Sequence, residues 1–374
     1  MKFGVLINKR NINIGDDIQA YAASCFLPSV DYMIDRETIN SFQSENNEPV
    51  AVIMNAWYMW EKWNWPPSRC IVPHMVGIHY TNYAKAKMPG APINFEALTG
   101  LGGDYMRAYG PIGCRDMYTL SNFQKLGIDS YFSGCITMTI PKLPEKKPGK
   151  EYICIVDVGP DVEHKLKQIL KHSGYKLRFM THNIVRDLNR PWGERKKMVE
   201  GLLSVYRNAK CVITGRLHCS LPCLSQETPV VLIMPGKPDI RLTPYYDLLH
   251  YIPTKDFFAG NYDYDFTNPK PNKPDYRDVQ SALIRSCTDF VDRMVKEKRD
   301  IAELDRLGAT DTEILRWQCE LMEQTMHAWM KKTNREYKEL NQYRRIKRLP
   351  MLRRGLKFIK THPTFKAKLK HILK

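Results

Sequence analysis

No apolar run in this chain of 374 residues approaches the ~18 to 20 residues that a bilayer span requires. A membrane-spanning protein is therefore not expected. The opening MKFGVLINKR contains only a five-residue apolar run, so no secretory signal is expected either. Ten cysteines are present, yet no C-x-x-C pair and no Cys/His cluster at zinc spacing occurs; Cys219 and Cys223 stand only one helical turn apart. These absences predict a reduced, cytoplasmic protein without a metal or another cofactor. Acidic residues are missing altogether from residues 344–374, which hold twelve of the 57 Lys and Arg residues and leave the body with only +5 of the net +17. The body is mildly basic and the tail is a separate electrostatic object. With 43% hydrophobic and 26% charged residues, the composition excludes a disordered or fibrous chain.

What is present reads as α/β architecture. Phe3 to Ile7 suits a buried parallel strand, and Asn13-Ile14-Gly15-Asp16-Asp17 then leads into an Ala-rich helix over Ile18 to Phe26. Asp16 or Asp17 suits the opening of that helix. Val50 to Met54, Cys70 to Ile78 and Gly110 to Arg115 follow as strands. Residues 141–150, PKLPEKKPGK, resist helix and strand and read as a connector. The same pattern then restarts: strand 152–156, helix 162–171, strand 177–181, helix 195–209, strand 211–214, helix 216–226 and strand 229–233. Two similar open-sheet domains are predicted, 1–140 and 151–303, followed by a helical extension over 304–343 and the basic tail. In the extension, Ile314, Trp317, Leu321, Met322, Met326, Trp329 and Met330 form an apolar stripe read as a long helix docked on the body.

Two arginines occupy positions where open α/β sheets bind ligands, beyond the carboxyl end of a strand and at the start of a helix. Arg216 follows strand 211–214 and precedes His218; Arg115 follows Gly110-Pro111-Ile112-Gly113-Cys114. From spacing alone, a structural arginine and a core histidine remain open for the first, and an ion pair with Asp116 for the second. Arginines from separate domains converging on one cleft would hold a phosphate and a carboxylate through planar forked contacts that lysine cannot make. Trp57, Tyr58, Trp60, Trp63 and Trp65 crowd together, and such a face can stack on a sugar ring. His79, at the end of a strand, is a better cleft candidate than His74.

Taken together, Asn13-x-Gly15-Asp16, Gly113-Cys114-Arg115-Asp116, Ser133-Gly134-Cys135 with Thr137 and Thr139, and Gly215-Arg216-Leu217-His218 with Pro229-Val230-Val231 resemble the polysaccharide pyruvyl transferase family over about residues 1–260. The resemblance implies two Rossmann-like domains in a GT-B-like arrangement. It also implies transfer of pyruvate from phosphoenolpyruvate to two hydroxyls of one sugar, as a cyclic ketal, with release of phosphate. On that footing Arg115, Arg216 and Leu217 would bind phosphoenolpyruvate, and His218 would be the catalytic acid, its ordinary pKa near ~6.5 suiting the role. Asp16 would orient or deprotonate the acceptor hydroxyl, with Asp17, His79 and Trp57 as further acceptor contacts.

The basic tail repeats Leu349, Leu352, Leu356 and Ile359 at helical spacing among Arg348, Arg353, Arg354, Lys357 and Lys360, and predicts binding to an anionic membrane surface. That would suit a lipid-linked oligosaccharide acceptor in surface-polysaccharide assembly, with the protein peripheral at the inner face of the cell membrane. No nucleic-acid module accompanies the charge, so nucleic acid is not expected as a partner. The competing readings are a GT-B-type glycosyltransferase whose arginines hold the diphosphate of a nucleotide-sugar, and a binding protein that has lost catalysis.

Overall fold

A computed structural model describes residues 1–58, 65–80, 98–144, 151–184, 187–234, 242–297 and 299–348. The first half opens with strand β1 (Lys2–Ile7), helix α1 (Gly15–Ser24) and strands β2 (Tyr32–Asp35), β3 (Val50–Ile53) and β4 (Ile71–His74). Helix α2 (Leu101–Ala108), strand β5 (Ile112–Cys114), helix α3 (Met117–Lys125) and strand β6 (Ser130–Phe132) complete it. The second half runs β7 (Tyr152–Val156), α4 (Pro160–Ile169), β8 (Lys176–Met180), α5 (Trp192–Asn208), β9 (Cys211–Thr214), α6 (Leu217–Ser225), β10 (Val230–Met234), α7 (Thr243–Leu248), β11 (His250–Pro253) and α8 (Thr254–Ala259). Helices α9 (Tyr276–Lys296), α10 (Ile301–Leu304) and α11 (Asp311–Arg348) follow.

Both principal sheets are parallel, in the orders β2-β1-β3-β4 and β11-β10-β9-β7-β8. In each, the first strand pairs with the second on one side and the third on the other, so the strand order reverses between first and third. Such a reversal opens a crevice beyond the carboxyl ends of those strands. The strands β3, β7 and β9 are buried at every position, as parallel strands covered on both faces must be. A parallel pair, β5 and β6, joins the first sheet through a bridge between Ile78 and Cys114.

One apolar core runs through both halves, bringing Phe3, Ile14, Ile18, Ile136 and Met138 together with Cys154, Leu203, Leu221 and Phe290. Helix α9 follows the second sheet in sequence but reaches back to the first half: Phe290 stacks on His74 at 4.8 Å, Ser286 bonds His74 Nε2 at 3.0 Å, and Gln280 donates to the Met138 carbonyl. Burial of His74, with Arg293 nearby, lowers its pKa to about 4.

Strands β2, β6 and β11 are not legible as strands in the sequence because they are short and lack a continuous apolar run. The helical extension is present but differs from the expectation of a docked stripe. Ile314, Trp317 and Leu321 face the body, with Trp317 against Gly100 and Gln318 donating to the Trp65 carbonyl. Met322, Met326, Trp329 and Met330 are exposed. The helix outlasts the body: at ~1.5 Å per residue, its 38 residues extend about 57 Å. No described helix is long and apolar enough to cross a membrane. Of the connector, residues 145–150 lie outside the described residues, as does the tail from 349 to 374.

Candidate functional site

The crevice ends of the two sheets meet at one cavity of about 430 Å³, lined by Arg36, Arg115, Arg216, Leu217, His218, Asp16 and Trp57, with Asn8, Arg10, Asn11, Asn13, Gln19, His182, Gly215, Met234 and Leu242. The loop after β1 and the turn after β9 form opposite walls. The loop after β1 pairs through its backbone with the turn after β8, since Ile14 N–H donates to the His182 carbonyl and Asn13 bridges Asn183.

Arg115 follows β5, its N–H bonded to the Ile78 carbonyl and its own carbonyl accepting from the Tyr245 hydroxyl at 2.7 Å. Asp116, its neighbour in sequence, does not pair with it. One Asp116 oxygen caps α3 by accepting from Thr119 N–H, and the other lies 2.5 Å from His79 Nδ1. Arg115 is therefore only 6% exposed, its Nε has no hydrogen-bond partner, and no acid pairs with its guanidinium among the described residues. A buried cation in this condition is costly unless an anion joins it.

Arg216 caps the start of α6 and is half-buried. Its Nε donates to Asp157 Oδ2 at 2.9 Å, and the same oxygen accepts from His182 N–H at 2.9 Å. Burial pushes Asp157 up, but the His182 N–H, the Thr181 hydroxyl and the Arg216 guanidinium outweigh it and leave the carboxyl below its usual range. Gly215 permits this arrangement: a Cβ there would lie 2.5 Å from the Asp157 carbonyl oxygen. The N–H groups of the first turn of α6 have no intrahelical acceptors and add positive potential at the same wall.

His218 lies one residue into α6, against Gly15 of α1. Its Nε2 is sealed from solvent without a hydrogen-bond partner. Burial first, then the charges of Arg115, His182, Arg36 and Arg216, hold its pKa well below the ordinary histidine value. The expectation of an unperturbed imidazole is thus corrected, because the ring sits in a desolvated and cationic pocket.

Asp16 reaches the cavity with one oxygen 3.4 Å from Arg36 Nη1 and the other accepting from Asn11 at 3.1 Å. Trp57 reaches it too, its ring packed edge-on to His79 at 5.0 Å. Two predicted acceptor contacts do not. Asp17 is not part of the cavity lining and forms a buried 2.6 Å ion pair with Arg195 of α5. His79 is fully buried in its contact with Asp116, behind Trp57. Tyr58 and Trp65 are core residues, and Trp60 and Trp63 lie outside the described residues.

Arg36 was not legible in the sequence. It follows β2, whose carboxyl end points to the same crevice, and the signal was an arginine after a four-residue strand that the apolar pattern does not mark. His182 was also missed, although it directly follows the expected strand 177–181 and its place beyond a strand end was the available signal. Among the described residues, no group of three or more His, Cys, Asp or Glu side chains is placed to hold a metal ion.

The fold and cavity define an α/β protein with an arginine-lined cavity between two parallel sheets. Residues 96–236 match the family model described as polysaccharide pyruvyl transferase. The matched segment includes Arg115, Arg216, Leu217 and His218, while Asp16, Arg36 and Trp57 precede it. No curated protein matches the chain. The family indicates an enzyme that transfers a pyruvyl group in polysaccharide biosynthesis, with a polysaccharide acceptor.

Proposed function

We propose that the cavity binds phosphoenolpyruvate and transfers its pyruvyl group as a ketal to two hydroxyls of one sugar in a surface-polysaccharide precursor. The observation that carries this reading is the buried Arg115 guanidinium, without an acidic partner among the described residues, in the same cavity as Arg216 and His218. A donor bearing phosphate and carboxylate on one carbon supplies the two anionic groups that these arginines can receive. Leu217 and Met234 offer apolar contact to the donor's small carbon skeleton.

In the proposed reaction a sugar hydroxyl oxygen bonds to the enol carbon of the donor, the methylene carbon takes up a proton, and the hydroxyl proton is lost. The carbon–oxygen bond to phosphate then breaks, and the second hydroxyl closes the ring with loss of its own proton. Asp16 is the candidate to receive the first hydroxyl proton. Burial and the field of the arginines keep His218 neutral; the donor's negative charges offset that field and raise its proton affinity, so that it becomes an acid when the donor is bound. Trp57 provides a ring face for the acceptor sugar. We further propose a lipid-linked acceptor at the inner membrane face, approached through the basic residues 344–374.

Incubation with phosphoenolpyruvate and a panel of glycan acceptors tests this reading. It expects phosphate release and a product heavier by pyruvate less one water. Arg216→Lys should lose turnover by at least ~10²-fold, since a point charge cannot replace the fork. Turnover of a nucleotide-sugar in place of phosphoenolpyruvate would refute the reading.

A further inference from the structure

Beyond Leu321, α11 leaves the body, and its described side chains are exposed as far as Leu340. Most of its exposed apolar residues are nevertheless ordered along one line, with Met330 and Tyr337 beside it. Leu315, Cys319, Met322, Met326, Trp329 and Thr333 alternate at spacings of four and three, and Leu340 closes the series after Glu336. That is the heptad spacing of a two-stranded coil, apolar over about two heptads from Leu315 to Trp329 and carried on through Thr333 and Glu336 to Leu340. The docking residues Ile314, Trp317 and Leu321 lie roughly a third of a turn away, so the seam and the body occupy different faces of the helix. Leu315 is 59% exposed, Met326 53%, Trp329 42% and Leu340 46%. A helix bare over this length gains little in water from its own hydrogen bonds and is ordinarily held by burial of its apolar face.

The charges select what covers it. In the first half of α11, Asp311, Glu313, Glu320 and Glu323 outnumber Arg316, whereas further along Lys331, Lys332, Arg335 and Lys338 outnumber Glu336 and Glu339. Two such helices side by side in parallel would set acidic against acidic and basic against basic. Antiparallel, each acidic half faces a basic half. The seam is also self-complementary in that sense: with the twofold axis between residues 327 and 328, Leu315 stands level with Leu340, and Met326 with Trp329. An anionic lipid surface would be repelled by the four acids that flank the first half of the stripe.

We propose that two copies of this chain associate through antiparallel α11 helices along this seam. The arrangement is isologous, with one patch meeting itself across a twofold axis.

Light scattering on the full chain at micromolar concentration is expected to give twice the monomer mass. Trp329→Glu combined with Met326→Glu should halve it while leaving far-ultraviolet circular dichroism of the body and phosphate release unchanged, since neither residue approaches the cavity. Orientation is read by disulfide formation in a Cys25→Ser background. There, Glu336→Cys places a thiol level with the partner copy's Cys319, and mild oxidation should give a covalent dimer that forms only when this substitution is present. A monomeric mass for the unsubstituted chain, a dimer that survives the double substitution, or efficient bridging between the two Cys319 thiols alone would each overturn the proposal. So would a monomer that binds phosphatidylglycerol vesicles through the stripe.

Discussion

Replacement of Gly15 by alanine probes the site without touching any charged group. A Cβ built at Gly15 lies 2.9 Å from His218 Nδ1, 3.0 Å from Asn13 Oδ1 and 3.2 Å from His218 Cβ. Comfortable contacts to carbon begin near ~3.5 Å, so the imidazole must retreat by about half an ångström or more. A misplacement of ~1 Å in a reacting group costs about 10²-fold, so a shift of half that size predicts a fall in kcat of about tenfold. Gly15 opens α1 with no positive φ, and alanine is a better helix former than glycine by ~0.5 to 1 kcal/mol. The melting temperature should therefore hold while kcat for phosphate release falls and KM for phosphoenolpyruvate changes less. Unchanged kcat would refute the placement of His218 at the reacting centre. A loss of activity matched by a loss of folded protein would show that Gly15 matters only to packing.

Because burial and then the charges around it depress His218, an anion that offsets those charges should be taken up together with a proton. Calorimetric titration with inorganic phosphate near pH 7, in buffers of different ionisation heat, should show net proton uptake that His218→Gln abolishes; identical heats in all buffers would contradict the proposed coupling. His74 provides a stability test at a distance from the cavity. Its pKa is lowered to about 4 by burial, so the folded chain holds it neutral while the unfolded chain protonates it below the usual value. The associated stability is complete above pH ~6.5 and declines as pH falls toward 4, by about 3 kcal/mol in all. Urea unfolding at stepped pH should show this decline in the native chain and a shallower one in His74→Asn; equal slopes would refute the assignment.

The central strands of both sheets were legible because strands buried on both faces need continuous apolar residues, and Tyr152–Val156 and Cys211–Thr214 are apolar or small at every position. Edge and short strands such as β2 and β11 are only partly buried, carry no such run, and appear only when a neighbour pairs with them. The long helix was legible from its stripe, but whether that stripe met the body depended on where the body ends.

Arg115, Arg216, Leu217, His218, Asp16 and Trp57 could be named from motif and position, because the carboxyl end of a parallel strand is a local feature of the chain. Their gathering in one cavity depended on how the two sheets are docked, through contacts between residues far apart in sequence such as Ile14 with His182 and Tyr245 with Arg115. The same docking sent Asp17 to Arg195, while packing within the first half sent Asp116 to His79 and so left Arg115 without an acid beside it among the described residues. The sequence by itself determined which residue types stand at the strand ends. Which of them keep a partner within the protein, and which face the cavity, was decided by tertiary structure, because burial and the field of neighbouring charges are properties of the assembled fold.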